Sequence, residues 1–270
     1  MSFTEKFRLL LADLSMFFEN SSHTDANEKI VCGRKEYVLE ADLHSQSKLI
    51  GLAKEYFKDY EIISEELDNY TALSFQEGNF IIMDPLDGTH NYLYGLPMWG
   101  VSFAVISNGE VIECYIGIPM FDILLQLHNN KVKKYKITNH EYCEEISVKE
   151  TALDISDQMI AYDNQFYKDV VNSKNHYSDL VDNAFTTRIS GSSVFDIAMI
   201  VLGRLNARIW HNVEIYDVIP AFGFLKKNGF VLNLYKGTDA SLKTRAILCT
   251  TDSTLYQQLE KINVTKDYMS

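Results

Sequence analysis

The sequence predicts a mixed fold of class α/β or α+β, with two sheets. Three observations carry this. Apolar residues recur at helical spacing near the N-terminus, short apolar runs follow one another between residues 80 and 128, and strands alternate with helices after residue 150.

Taken in order, residues 3–19 place Phe3, Phe7, Leu10, Leu11, Leu14 and Phe18 on one helical face. Residues 41–58 repeat that pattern through Leu43, Leu49, Ile50, Leu52, Ala53 and Phe57. The period then changes. FIIMD (80–84) is a short apolar run that stops at an acid. The runs 99–106, 110–118 and 122–128 read as consecutive antiparallel strands, with Asn108-Gly109 as a hairpin turn. Further on, QMIAYD, LNARIW and RAILCTT read as strands. SSVFDIAMIVLG reads as a helix stopped at Gly203, DVIPAFGFLKKNG as one stopped at Gly229, and STLYQQLEKI as the last.

Composition narrows the function classes. With 270 residues, 46% hydrophobic and 23% charged, the chain is neither a disordered segment nor a small disulfide scaffold. A formal charge of −12 disfavours nonspecific nucleic-acid binding, so no nucleic-acid partner is expected. Cys32, Cys114, Cys143 and Cys249 are far apart and form no CxxC pair. Reduced thiols and a cytoplasmic location are therefore expected, not a zinc site. No run of eighteen apolar residues exists, so no membrane span is expected.

The chemistry gathers in one window. From Asp59 to Asn130 there is no Lys or Arg, but there are eleven acids. Asp84 ends an apolar strand, and Asp87 follows three residues later in what reads as a turn. Two acids at a buried strand end need a counter-charge. A distant Arg can supply it; a divalent cation does so better, and oxygen-only ligands favour Mg²⁺ over zinc. In DPLDGTHN (84–91), Gly88 permits positive φ, and Thr89 and Asn91 can cap a helical turn. Free amides beside carboxylates suit a metal ion and a phosphate ester.

DPLDGT after an apolar strand, preceded by Glu65-Glu66, resembles the inositol monophosphatase family, a superfamily of Mg²⁺-dependent, lithium-sensitive phosphatases. VLEAD (38–42), SGSSVFDIAMIVLGRLNARIW (190–210) and IYDVIPAFGFLKKNGF (215–230) resemble further family segments in the same order. The resemblance spans about residues 30–250. It implies a layered α-β-α-β-α sandwich forming a single domain. One half (1–150) would carry the DPLDGT motif, and the other (151–270) Asp217 and a substrate wall.

The resemblance further implies roles. Glu65, Asp84, Asp87 and Asp217, with the carbonyl of Leu86, would hold two or three Mg²⁺ ions, Glu65 would also serve catalysis and Asp87 the phosphate, and Glu66 would stand behind them. Asp42 and Thr89 would orient and deprotonate the attacking water, although Asp42 can equally cap a helix. The amides of Gly88 and Thr89 would hold the phosphate. Gly191 and Ser192 would face the substrate. The implied function is hydrolysis of a small phosphate monoester, inositol monophosphate-like, with fructose 1,6-bisphosphate or 3′-phosphoadenosine 5′-phosphate as alternatives. A regulatory or binding protein on the same fold is the remaining one. A homodimer is implied as well.

There are departures. Tyr216 stands where the family has Trp. Trp210 stands where inositol-specific members carry a substrate-binding Glu, and is assigned here to the substrate wall. Arg188 and Arg204 are the candidates for meeting a second phosphate. His90 is expected to be an exposed loop residue and Trp99 a core or pocket-wall residue. KKYKITNHEYCEEISVKET replaces the family's glycine-rich hairpin.

Overall fold

The computed structural model describes residues 1–20, 26–31, 34–67, 77–163, 173–211, 213–226, 231–234, 241–242 and 246–262. The chain opens with helix α1 (Phe3–Asn20), a hairpin of β1 (Ala26–Val31) and β2 (Arg34–Leu39), and helix α2 (Glu40–Tyr56). Strands β3 (Glu61–Ser64) and β4 (Asn79–Asp87) precede the short helix α3 (Thr89–Leu93). Then come β5 (Gly100–Ser107), β6 (Glu110–Ile118), β7 (Ile123–His128), β8 (Lys131–Tyr135) and β9 (Cys143–Ile146). The remainder alternates: β10 (Met159–Tyr162), α4 (Ser173–Asn183), β11 (Thr186–Arg188), α5 (Ser193–Val201), β12 (Ala207–Trp210) and α6 (Ile215–Phe224). It ends with β13 (Val231–Asn233), β14 (Ile247–Thr250) and α7 (Leu255–Lys261).

Two large sheets result. One orders β3 to β9 as in the sequence, parallel between β3 and β4 and antiparallel elsewhere. The other runs β11-β10-β12-β14-β13, with β10 parallel to both its neighbours. Side-chain alternation sorts the layers. Ile81 and Met83 of β4 pack under α1 and α2, which bury Phe7, Leu11, Leu14 and Leu49 on that face. Phe80 and Ile82 point the other way, into a core shared with α5, α6 and the inner face of the second sheet. There Ala161, Trp210, Ile247 and Cys249 face inward, while Ile160, Ile209 and Leu248 face α4 and α7. The order is helices, sheet, helices, sheet, helices: the expected sandwich. Each fully buried large side chain contributes about 1.5–3 kcal/mol, and strands buried on both faces contribute to two cores at once.

Asn108 and Gly109 both take positive φ, 49° and 81°, which is the turn that matches hairpin twist. Two sequence expectations are corrected. Asp87 lies in β4 itself, past a register shift between Asp84 and Asp87, rather than in a free turn. The glycine-free segment after β7 still makes a hairpin, because β8 and β9 pair antiparallel around residues 136–142. Helix α6 ends at Phe224; its expected stop, Gly229, and Cys32 lie outside the described residues. Cys114, Cys143 and Cys249 are free thiols. Among the described residues no helix is long and apolar enough to cross a membrane.

Candidate active site

Three carboxylates from two parts of the chain converge. Asp84 and Asp87 come from the end of β4, and Asp217 from the first turn of α6. One oxygen from each lies within 4.8 Å of the others. Asp84 is fully buried; its Oδ1 accepts the Leu86 N–H at 3.1 Å, and its Oδ2 is buried without a hydrogen-bond partner. Burial first, and then the charges of Glu65, Asp87, Asp217 and Asp42, hold its carboxyl well above the usual carboxylate range. An orphaned buried oxygen in a nest of acids is what a hard divalent cation satisfies. The donor set, oxygen only, fits Mg²⁺. Glu65 stands just beyond β3, outside the group of three, yet its charge is felt at both Asp84 and Tyr216.

Beside the acids is a hydroxyl bonded to a fourth carboxylate. Asp42, in the first turn of α2, accepts the Leu39 N–H through Oδ2 at 2.7 Å, which caps the helix. Its Oδ1 accepts from the Thr89 hydroxyl at 3.4 Å, and that hydroxyl also reaches the Leu86 carbonyl at 3.1 Å. The capping role and the Thr89 contact therefore coexist on one carboxylate. Gly88 sits at φ +87°, and a Cβ there would lie 3.0 Å from the Met98 carbonyl, so the turn into α3 requires glycine.

Asp87 is held from the far side. Its Oδ2 accepts the Ser192 hydroxyl and, at 2.7 Å, the Val194 N–H at the start of α5. Burial raises the Asp87 carboxyl, while these donors oppose the shift. Ser192 also caps α5 by accepting the Phe195 N–H at 3.1 Å, and its own amide donates to Ser190 Oγ at 3.2 Å. Its polar atoms are thus engaged with the protein rather than turned toward a substrate. Gly191 is exposed beside it.

Trp210 is corrected as well. It has no accessible surface, and its indole N–H donates to Ser193 Oγ at 2.9 Å. A side chain sealed in the core lies behind the site, not on its wall. Arg188 is folded onto its own strand, donating to Thr186 Oγ1 and the Thr187 carbonyl at 2.7 Å. Arg204 follows the C-terminal end of α5, whereas Asp87 sits at its N-terminus, roughly 13 Å away at 1.5 Å per residue. His90 is exposed as expected but lies in helix α3 rather than in a loop, and Trp99 is fully buried, which decides for core over pocket wall.

The sequence reading missed a buried ion cluster. Arg208 of β12 pairs with Asp196 of α5 at 2.7 Å and with Asp163, and stacks 5.3 Å from the Trp210 ring. Burial pushes the Asp196 carboxyl up to about 6 against the pull of Arg208. The signal was present: an Asp in an otherwise apolar helix and an Arg in an apolar strand each need a partner when buried.

Comparison with known proteins places the fold and the family. The family model for the inositol monophosphatase family matches residues 11–265. The Nus factor SuhB of Xylella fastidiosa is 26% identical over 220 residues, covering 77% of this chain and 72% of that one. The inositol monophosphatase structure from Thermotoga maritima superposes with a TM-score of 0.76 at 20% identity, covering 97% of each chain. An inositol monophosphatase/NADP phosphatase solved with Mg²⁺ and phosphate gives 0.74 at 18% identity, over 97% of this chain and 96% of that one. The two structures speak for the fold, and the family model spans nearly the whole length: the chain belongs to the inositol monophosphatase family.

Proposed function

We propose that the protein is a Mg²⁺-dependent phosphomonoesterase that hydrolyses a small phosphate monoester by direct attack of water. The observation that carries the proposal is the orphaned Oδ2 of Asp84 within the acidic triad. Asp84, Asp87 and Asp217 would hold the ions, with Glu65 and the Leu86 carbonyl completing the set. When bound, Mg²⁺ supplies charge neutralisation for the phosphate and acidifies a water molecule. Thr89 Oγ1 takes a proton from the attacking water as its own hydroxyl proton moves toward Asp42 Oδ1. The new bond joins water oxygen to phosphorus, and the ester oxygen leaves and is protonated as an alcohol. The amides of Gly88 and Thr89 orient the phosphate. Arg208 is already engaged by two carboxylates, Arg188 is engaged by its own strand, and Arg204 lies past the far end of α5. This favours a substrate with one phosphate over fructose 1,6-bisphosphate or 3′-phosphoadenosine 5′-phosphate.

The test is phosphate release from inositol 1-phosphate, glycerol 2-phosphate, fructose 1,6-bisphosphate and 3′-phosphoadenosine 5′-phosphate. Each is run with Mg²⁺, with EDTA, with added Li⁺, and with Asp84→Asn. Mg²⁺-dependent, Li⁺-sensitive release lost in Asp84→Asn supports the proposal. Mg²⁺ binding with no release from any ester would favour a regulatory role instead, the direction in which the name of the Xylella relative points. Light scattering on the same preparation tests the proposed homodimer.

A further inference from the structure

Asn91 follows the DPLDGT turn, and its spacing suggested a helix cap. The structure gives it a different task. It is buried within α3, and its side-chain amide nitrogen donates to two carbonyls: Met98 at 2.5 Å and Ser190 at 2.8 Å. Both partners only accept, so the nitrogen, not the oxygen, must face them. Met98 lies just before β5 in the first sheet, and Ser190 just before α5 in the middle layer. One side chain therefore ties the two layers together beside the acidic triad.

The tie continues to Asp87 through three short steps. The backbone beyond Ser190 turns at Gly191, φ +78°, where a Cβ would press on the Asn91 amide at 3.2 Å. Ser190 Oγ accepts the Ser192 N–H at 3.2 Å and donates to the Ser192 carbonyl at 3.0 Å. Ser192 Oγ and the Val194 N–H then hold Asp87 Oδ2. With Oδ2 held by these two donors, the orientation of the Asp87 carboxylate toward Asp84 and Asp217 is set.

We propose that Asn91 is a positioning residue: by clamping the Met98 and Ser190 carbonyls it sets the loop 190–192 that fixes the Asp87 carboxylate for metal binding. Asn91 touches neither the triad nor a substrate. The metal part rests on the phosphatase reading above; the clamp itself does not.

The test compares Asn91→Asp and Asn91→Ala in the full-length protein. Aspartate keeps the shape but replaces the donor with a carboxylate oxygen facing two carbonyls. A space-filling role predicts that Asn91→Asp resembles wild type and Asn91→Ala does not. The clamp predicts the reverse order, with Asn91→Asp at least as damaged as Asn91→Ala. Two readouts are taken: amide hydrogen exchange at Val194 and Phe195, with Leu125 and Leu248 as core controls, and calorimetric titration with Mg²⁺. Expected is a loss of Val194 protection of about fivefold or more, the scale of one net hydrogen bond, with the core controls unchanged. A similar weakening of Mg²⁺ binding is expected alongside it. Unchanged Val194 protection in Asn91→Asp overturns the clamp. Lost protection with unchanged Mg²⁺ affinity overturns the link to the metal. A wild type that binds no Mg²⁺ sinks the phosphatase reading and the metal link with it, while the exchange data still decide the clamp. If Asn91→Asp does not fold, Asn91→Leu takes its place: it fills the site without a donor, so lost Val194 protection supports the clamp and unchanged protection overturns it.

Discussion

Asp84→Asn separates stability from function in a way few substitutions do. In the metal-free protein the Asp84 carboxylate is buried with Asp87 and Asp217 oxygens within 4.8 Å. At that distance and an effective dielectric of 20, each ionised pair repels by about 3.5 kcal/mol. Proton uptake relieves much of this, because burial and the neighbouring acids raise the Asp84 carboxyl. Such a raised carboxyl favours folding least when it must ionise: stability falls as pH rises from the ordinary carboxylate range through the raised value. Asparagine keeps the oxygen that accepts from the Leu86 N–H and turns a donor toward the remaining acids. The chelated variant should be more stable than chelated wild type at pH 7, by about 2 kcal/mol or roughly 5 °C in Tm. Saturating Mg²⁺ should raise wild type by about 2.7 kcal/mol at a hundredfold excess over Kd, and leave the variant unmoved. Calorimetric melts in EDTA and in Mg²⁺ measure both. A variant less stable than wild type in EDTA, or one that gains stability from Mg²⁺ as wild type does, would refute the reasoning.

Three further outcomes are expected. Ser192→Ala removes both the α5 cap and a donor to Asp87; chemical denaturation should show a loss of about 2 kcal/mol, with weaker Mg²⁺ binding by calorimetry. Thr89→Val keeps the shape and deletes the hydroxyl between Leu86 and Asp42; kcat should fall on the order of a hundredfold or more while Mg²⁺ affinity stays within twofold. Arg208→Met leaves Asp196 and Asp163 without their guanidinium. Urea melts should show a loss of about 3–5 kcal/mol, and adding Asp196→Leu should recover part of it.

Much of this protein was legible in one dimension because local patterns have local causes. The helical spacing of Phe7, Leu11, Leu14 and Phe18 specifies which face of α1 is buried. Asn108-Gly109 specifies a hairpin, and the apolar run before Asp84 specifies a strand that delivers an acid to its end. The motif order from Asp42 to Asp217 named Asp84, Asp87 and Asp217, which the fold brings together, and the pair Asp42 and Thr89. It could not say how they gather. The distance from Asp84 to Asp217, the hold of Ser192 on Asp87 and the sealing of Trp210 behind Ser193 all join residues far apart in the chain.

Ser192 illustrates the difference. From the sequence it is a polar residue opening a helix and expected to face the substrate or its phosphate. Only the packing of α5 against the first sheet puts Asp87 in reach, so the helix start meets the protein's own acid. Trp210 and Arg208 illustrate it again: strand alternation says that both share one face of β12, but not whether that face is core or cleft. The sequence by itself determined the elements, their order and the chemistry of the donors, because these depend on residue type and short spacing. The tertiary structure alone decided which donor is free, which is engaged and which is sealed away, because those depend on contacts that form only when the two sheets close on the layer between them.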